Sequence, residues 1–378
     1  MNLLMVGTTA PSHVHPGLAV IAELVRRGHR VTYAVGERLA PLVAPTGADV
    51  LAHRSVLPTA DEHWPQDVAQ ARHVFLDEQA AVLPLLEEQA RPDAVLYDIG
   101  GYAGRVAARR WDVPAVQLSP AYVAWDGYEE DMAEHEATVA AGPSGRRFAA
   151  ALREWLDAHG VTDDGEAFLG RPSACVVLVP RVLQPHADRV DPDRYVFAGP
   201  CPDPSRLTGW APPPGDDRPL VYVGLGTAYT DRPDLYRLCL QVLGEDHRVV
   251  LASGKVDPAA LGPLPRGAVV ARVQPQLDVL AHADLFVTHA GMGGAGEALW
   301  YGVPTVAVPQ AVDQFLNAET LERIGAGVRL EAVEPGALRS AVAAAHACAG
   351  RVRALQGEAL TTGGPVHAAD AVERLVTG

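Results

Sequence analysis

The chain has 378 residues, 48% of them apolar and 20% charged, with a formal net charge of −15 at pH 7. That length exceeds what one hydrophobic core usually serves, so two domains of ordinary size are expected, each with enough apolar material for its own core. The acidic balance argues against nucleic acid or an anionic membrane as partner, so any phosphate must be caught by a local arrangement of groups.

The four cysteines, Cys175, Cys201, Cys239 and Cys348, lie far apart with no metal-binding spacing, and fit a reduced, cytoplasmic chain. The apolar start is interrupted by His13 and His15 and runs into Glu23, Arg26 and Arg27, unlike a signal peptide. No run approaches the ~20 apolar residues of a membrane span.

In chain order, residues 3–6 read as a strand and GTTAPSHVHPG as a long polar loop. The next helix puts Leu18, Ile21, Ala22 and Val25 on one face and stops at Gly28. Further strands are expected at 31–35, 94–97, 115–118 and 176–179, separated by helical patterns such as 75–89 and 104–111. This alternation predicts a doubly wound parallel sheet. The stretch GPCPDPSRLTGWAPPPGDDRP is proline-rich and lacks apolar periodicity, and is read as a linker over 201–219. The pattern restarts with strands at 220–223, 249–252, 269–273, 285–288 and 305–308. A first domain over 1–200 and a second doubly wound domain over 220–362 follow. The tail, 363–378, carries one more helix, which is expected to cross back to the first domain.

The densest signal is ADLFVTHAGMGGAGEALWYGVPTVAVPQAVDQ, residues 283–314, which reads strand, glycine loop, helix, strand. Unpaired amides at a helix start carry the positive end of the macrodipole, and Gly291, Gly293 and Gly294 would let a phosphate approach them closely. His289, Glu297, Asp313 and Gln314 would surround it at the carboxyl ends of parallel strands. Gly291 to Gly296 also spells G-x-G-x-x-G, with Asp313 about 20 residues on, so an NAD-dependent dehydrogenase is the alternative reading. That reading sets the fingerprint after several αβ units and leaves His289, Glu297 and Gln314 without a role. A third reading makes the glycines a device for tight helix packing.

In the first half, His13 follows the first strand and Asp98 ends the strand 94–97, at the same rim of one sheet. An imidazole held by a carboxylate is a general base in the correct tautomer. Separately, a loop histidine is commonly a surface residue and a strand-end aspartate a helix cap. The D-x-D of VDPDRY, Asp191 to Asp193, contains a proline and reads as a turn.

The segments GHRVTY, YDIGGYAGRVAARRWDVPAVQLSPAYVAWDGYEED, LVPRVLQPHADRVD, GLGTAYTDRPDLYR, ADLFVTHAGMGGAGEAL and VPQAVDQF together resemble the macrolide glycosyltransferases of actinomycete antibiotic pathways, especially the oleandomycin-inactivating, UDP-glucose-using type. The resemblance covers nearly the whole chain. It implies the GT-B fold, two facing Rossmann-like domains with an interdomain cleft, and inverting transfer without a metal. The acceptor aglycone would bind in the first domain and the nucleotide sugar, UDP-glucose or a dTDP-sugar, in the second. No separate cofactor is implied.

By the same resemblance His13 of SHVHP is the base and Asp98 its partner. The donor motif falls on Thr227, Gln276, His289, the amides around Gly293 and Gly294, Glu297 for the ribose hydroxyls, and Asp313 with Gln314 for the sugar hydroxyls. Relatives commonly stack the uracil on a Trp where this chain has Val273, which offers no π face. They often have Asn where this chain has His15, to which no catalytic role is given. Acceptor loops are expected at 61–72 and 121–135, without a readable code.

Overall fold

The computed structural model describes residues 1–59, 65, 67–163, 165–227, 229–311 and 313–377. Expected acceptor-loop residues 61–64 and 66 lie outside these. The chain divides into two compact units. The first comprises Met1–Leu178, His186–Cys201 and the chain from Gly364 on. The second comprises Val179–Pro185 and Pro202–Gly363.

In the first unit seven strands form one sheet: β1 (Asn2–Val6), β2 (Arg30–Gly36), β3 (Asp49–His53), β4 (Ala94–Asp98), β5 (Ala115–Ser119), β6 (Cys175–Val177) and β7 (Tyr195–Phe197). Their order is β3-β2-β1-β4-β5-β6-β7 and every pairing is parallel. Both faces of a parallel sheet must be covered, and β1 shows how its short apolar sequence does so. Leu3 and Met5 join Leu18 and Ile21 of the helix Pro11–Arg26 in one core. Leu4 and Val6 face the opposite core, with Leu83 and Val106 of the helices Val68–Glu87 and Tyr102–Trp111.

The C-terminal helix Pro365–Thr377 belongs to this unit. Its Ala368, Ala369, Val372 and Val376 share the core with Leu18 and Ile21. Arg27 reaches Asp370 and Glu373, each at 2.7 Å, and His29 reaches Glu373 at 2.7 Å.

The second unit holds a six-stranded parallel sheet of β8 (Leu220–Gly224), β9 (Arg248–Ala252), β10 (Val269–Ala271), β11 (Leu285–Thr288), β12 (Thr305–Ala307) and β13 (Gly327–Arg329), in the order β10-β9-β8-β11-β12-β13. In both units the chain reverses direction across the sheet next to its first strand, between β1 and β4 and between β8 and β11. Such a switch point opens a crevice outside the carboxyl ends of the two strands.

Three strands have no counterpart in the sequence reading: β3, β7 and β13. All are sheet edges, where one side lacks a partner and the burial pattern loses its apolar run, as in the GVR of β13. The expected loop GTTAPSHVHPG is shorter than the sequence suggests, because the helix already begins at Pro11. Proline suits a first helical turn, where its missing N–H has no intrahelical partner to lose. His13 therefore stands in the first turn of a helix. The VDPDRY stretch is a turn, with Asp193 N donating to Asp191 Oδ1 at 3.0 Å.

Candidate active site

At the switch point of the first unit, β1 runs into Gly7, Thr8 and Thr9 and then into the helix bearing His13, while β4 ends on Asp98. The two side chains meet: His13 Nδ1 lies 2.9 Å from Asp98 Oδ1 and 3.2 Å from Oδ2. Asp98 is buried, with 1% of its surface exposed, whereas the His13 side chain keeps 22%. Burial of a carboxylate needs compensating donors. Besides His13, Asp98 Oδ1 accepts from the Thr8 hydroxyl and from Gly100 N, the latter at 3.0 Å.

Thr9, the next residue, is anchored separately. Its hydroxyl donates to the buried Glu78 at 2.7 Å and accepts from Gly36 N at 3.0 Å. Glu78 also accepts from Ser55 Oγ at 3.1 Å and Val56 N at 2.7 Å. The loop ahead of His13 is thus pinned at two successive threonines, whose roles no local sequence pattern marks.

At the switch point of the second unit, His289 follows β11 and precedes the helix Met292–Tyr301. Its ring lies between two glycines. A Cβ on Gly226 would stand 2.6 Å from it and one on Gly291 2.4 Å, so only glycine allows both backbones to approach. This enclosure lowers the His289 pKa to about 4, because burial disfavours the charged imidazolium. Its Nδ1 is buried without a hydrogen-bond partner among the described residues.

Ala290 adopts a left-handed φ of 61°, uncommon for a residue with a side chain. It is held there by Ala290 N donating to Thr288 Oγ1 at 3.2 Å and Asn317 Nδ2 donating to Ala290 O at 2.9 Å. Among the described residues nothing lies within 4 Å of where a Cβ on Gly293, in the first turn of the helix, would stand. This helix has no acidic residue in its first turn.

The other expected donor residues divide into those brought together and those set apart. Gln276 Nε2 donates to Glu297 Oε2, and Tyr222 Oη donates to Gln276 Oε1 at 3.2 Å. Arg206 Nη1 donates to the other Glu297 oxygen at 2.5 Å. Gln314 is buried and its Oε1 accepts from Gln310 N at 2.8 Å and Ala311 N at 3.2 Å, so it shapes the turn before it. Exposed Asp313 accepts from Asn317 Nδ2 at 3.1 Å. Thr227 is exposed in the loop after β8. Val273, expected within a strand, lies beyond the end of β10 and is 81% exposed.

Arg206, Asn317 and Ala290 were not singled out from the sequence. Arg206 sits in the proline-rich stretch, and Asn317 lies 27 positions from the carbonyl it holds. Among the described residues no group of three or more His, Cys, Asp or Glu side chains is arranged to hold a metal ion.

The family model described as erythromycin biosynthesis protein CIII-like, C-terminal domain, matches residues 237–374. The oleandomycin glycosyltransferase of Streptomyces antibioticus is 43% identical over 388 residues, spanning 98% of this chain and 90% of that protein. The crystal structure of the glycosyltransferase of kitacinnamycin superposes with a TM-score of 0.91 at 39% identity, covering 99% of this chain and 98% of that one. That of CalG4, the calicheamicin glycosyltransferase, gives 0.85 at 32%, covering 100% and 98%. The chain belongs to the macrolide glycosyltransferase family, and it is a glycosyltransferase of GT-B fold.

Proposed function

We propose that this enzyme is an inverting glycosyltransferase that moves a hexose from a nucleoside diphosphate sugar, UDP-glucose by preference, to a hydroxyl of a macrolide or related natural-product aglycone. The observation that carries the chemistry is the contact of His13 Nδ1 with buried Asp98 at a sheet switch point. In this reading Asp98 fixes the tautomer through Nδ1, and Nε2 takes the proton of the acceptor hydroxyl as its oxygen attacks the anomeric carbon. Attack opposite the diphosphate inverts that carbon. Asp98 then stabilises the imidazolium.

On the donor side, the diphosphate gains negative charge as it leaves. The amides at Gly293 and Gly294 and the positive end of the helix Met292–Tyr301 meet that charge. His289 contributes an N–H rather than a positive charge, because its pKa near 4 keeps the imidazole neutral at pH 7. Glu297, held by Gln276, takes the pentose hydroxyls, and Asp313 with Gln314 takes sugar hydroxyls. No metal or separate cofactor enters the scheme. The acceptor class follows from the family and from the relative named for oleandomycin. A dTDP-deoxysugar is the second donor reading, left open by Val273, whose exposed aliphatic side chain offers neither pyrimidine a stacking face.

The test is mass spectrometry of a panel of aglycones incubated with UDP- and dTDP-sugars in the presence of EDTA. Glycosylated product from UDP-glucose despite the chelator is the expected result. Product from dTDP-sugars alone would transfer the assignment to the second donor, and activity restored only by magnesium would overturn the metal-independent scheme.

A further inference from the structure

Glu297 has both carboxylate oxygens engaged, one by Gln276 Nε2 and the other by Arg206 Nη1. Arg206 comes from the stretch that composition marks as a linker, yet its backbone is fastened on both sides. Arg206 N donates to Asp203 O at 3.0 Å. Two residues on, Thr208 N and Oγ1 donate to Asp278 Oδ2 at 2.8 and 3.1 Å, and Gly209 N donates to Asp278 Oδ1 at 3.2 Å. Asp278 is itself buried, two positions from Gln276. An arginine held this way is no mobile surface cation finding a chance partner. Its backbone is placed in advance, so fixing the guanidinium on Glu297 costs the side chain's own rotamer entropy and no loop ordering.

A carboxylate offers about four lone-pair sites. With one taken on each oxygen by donors from two different elements, the carboxylate plane is fixed and one acceptor site per oxygen remains. A vicinal diol can use such a pair of sites, donating one hydroxyl to each oxygen. We propose that Arg206 is a positioning residue of the donor site, which together with Gln276 holds the Glu297 carboxylate oriented to accept the two hydroxyls of the nucleotide's pentose. The proposal rests on the donor-site reading above. It adds a residue from outside the glycine-loop motif, and it predicts that the effect of Arg206 passes through the hydroxyls.

The experiment is calorimetric titration of UDP and of 2′,3′-dideoxy-UDP into the wild type, Arg206→Ala and Arg206→Lys, with steady-state kinetics of each enzyme. Arg206→Ala is expected to bind UDP roughly 10-fold more weakly, the size of one charge-assisted hydrogen bond, and to bind the dideoxy nucleotide within about twofold of wild type. Donor KM should rise while kcat at saturating donor is kept. Arg206→Lys, which keeps the charge without the planar fork, should recover part of the UDP affinity.

An equal loss for both nucleotides, the signature of general loosening, would overturn the proposal, as would an unchanged UDP affinity. If Arg206→Ala does not fold, Arg206→Lys carries the same comparison. Glu297→Ala separates the two levels of the argument. Unchanged UDP affinity in that variant means that the donor reading has failed, whereas a loss there without a hydroxyl-dependent loss at Arg206 defeats only the positioning role.

Discussion

At the level of single residues, His13 and His289, to which the proposed scheme gives roles, are housed in opposite ways. His13 is partly exposed against a buried carboxylate with three donors on one oxygen, while His289 is enclosed by glycine backbones. Removing the proposed base by His13→Ala should lower kcat by the roughly 10²- to 10⁴-fold that general base catalysis contributes, with donor affinity unchanged. Asp98→Asn should reduce kcat with little change in donor KM, and the double variant should be little worse than His13→Ala, since the pair acts as one unit. Multiplicative losses in initial-rate kinetics would place the base elsewhere, with His15 the next candidate. His289 makes a separate prediction about stability. Unfolded, it titrates near 6.5, and folded near 4, so in that window the unfolded chain binds the extra proton. Its contribution is therefore intact above about pH 6.5 and is lost as the pH falls towards 4. Melting temperatures measured across this range should fall with pH, and His289→Asn should flatten the slope.

Among the elements, each switch point sets a loop between a strand end and a following helix. The helix Met292–Tyr301 begins with glycines of different purpose. Gly291 is demanded by packing, since a methyl there would collide with His289, whereas no described residue would touch a methyl on Gly293. Gly293→Ala should fold with a melting temperature near that of wild type, and alanine should even favour the helix by up to about 1 kcal/mol. If the space beside it receives the diphosphate, donor KM should rise several-fold while aglycone KM stays constant. Unchanged donor kinetics would remove the diphosphate from this helix start. Gly291→Ala should instead reduce stability and activity together.

At the scale of the whole molecule, each unit has its own cores, and the chain's last helix belongs to the first. Val372 and Val376 are buried against a core that also holds Leu18 and Ile21, and burial of two valines is worth roughly 3–6 kcal/mol. Deleting the chain from Gly364 on should therefore destabilise the unit that carries His13. Hydrogen exchange should show lost protection in the helix Pro11–Arg26 and in β1, with β8 and β11 protected as before. Equal deprotection of both sheets would show that the helix serves the molecule generally.

The class of fold is legible in the amino-acid order, because the central strands of a parallel sheet are buried on both faces and must be written as apolar runs, as in LLMV of β1 and LFVT of β11. That order also marked His13, Asp98 and the glycine loop, since groups at the carboxyl ends of such strands share a rim wherever the sheet forms. It missed β3, β7 and β13, whose edge positions do not require an apolar pattern. Folding in three dimensions sets His13 in a helix turn against Asp98, 85 positions away, and brings the Thr8 hydroxyl and Gly100 N to the same carboxylate. Only it brought Arg206 to Glu297 across 91 positions and Asn317 to the strained Ala290 across 27. Patterns of period 2 and 3.6 report which face of an element is buried. The partners of a buried polar atom are chosen by three-dimensional proximity, which no local pattern records.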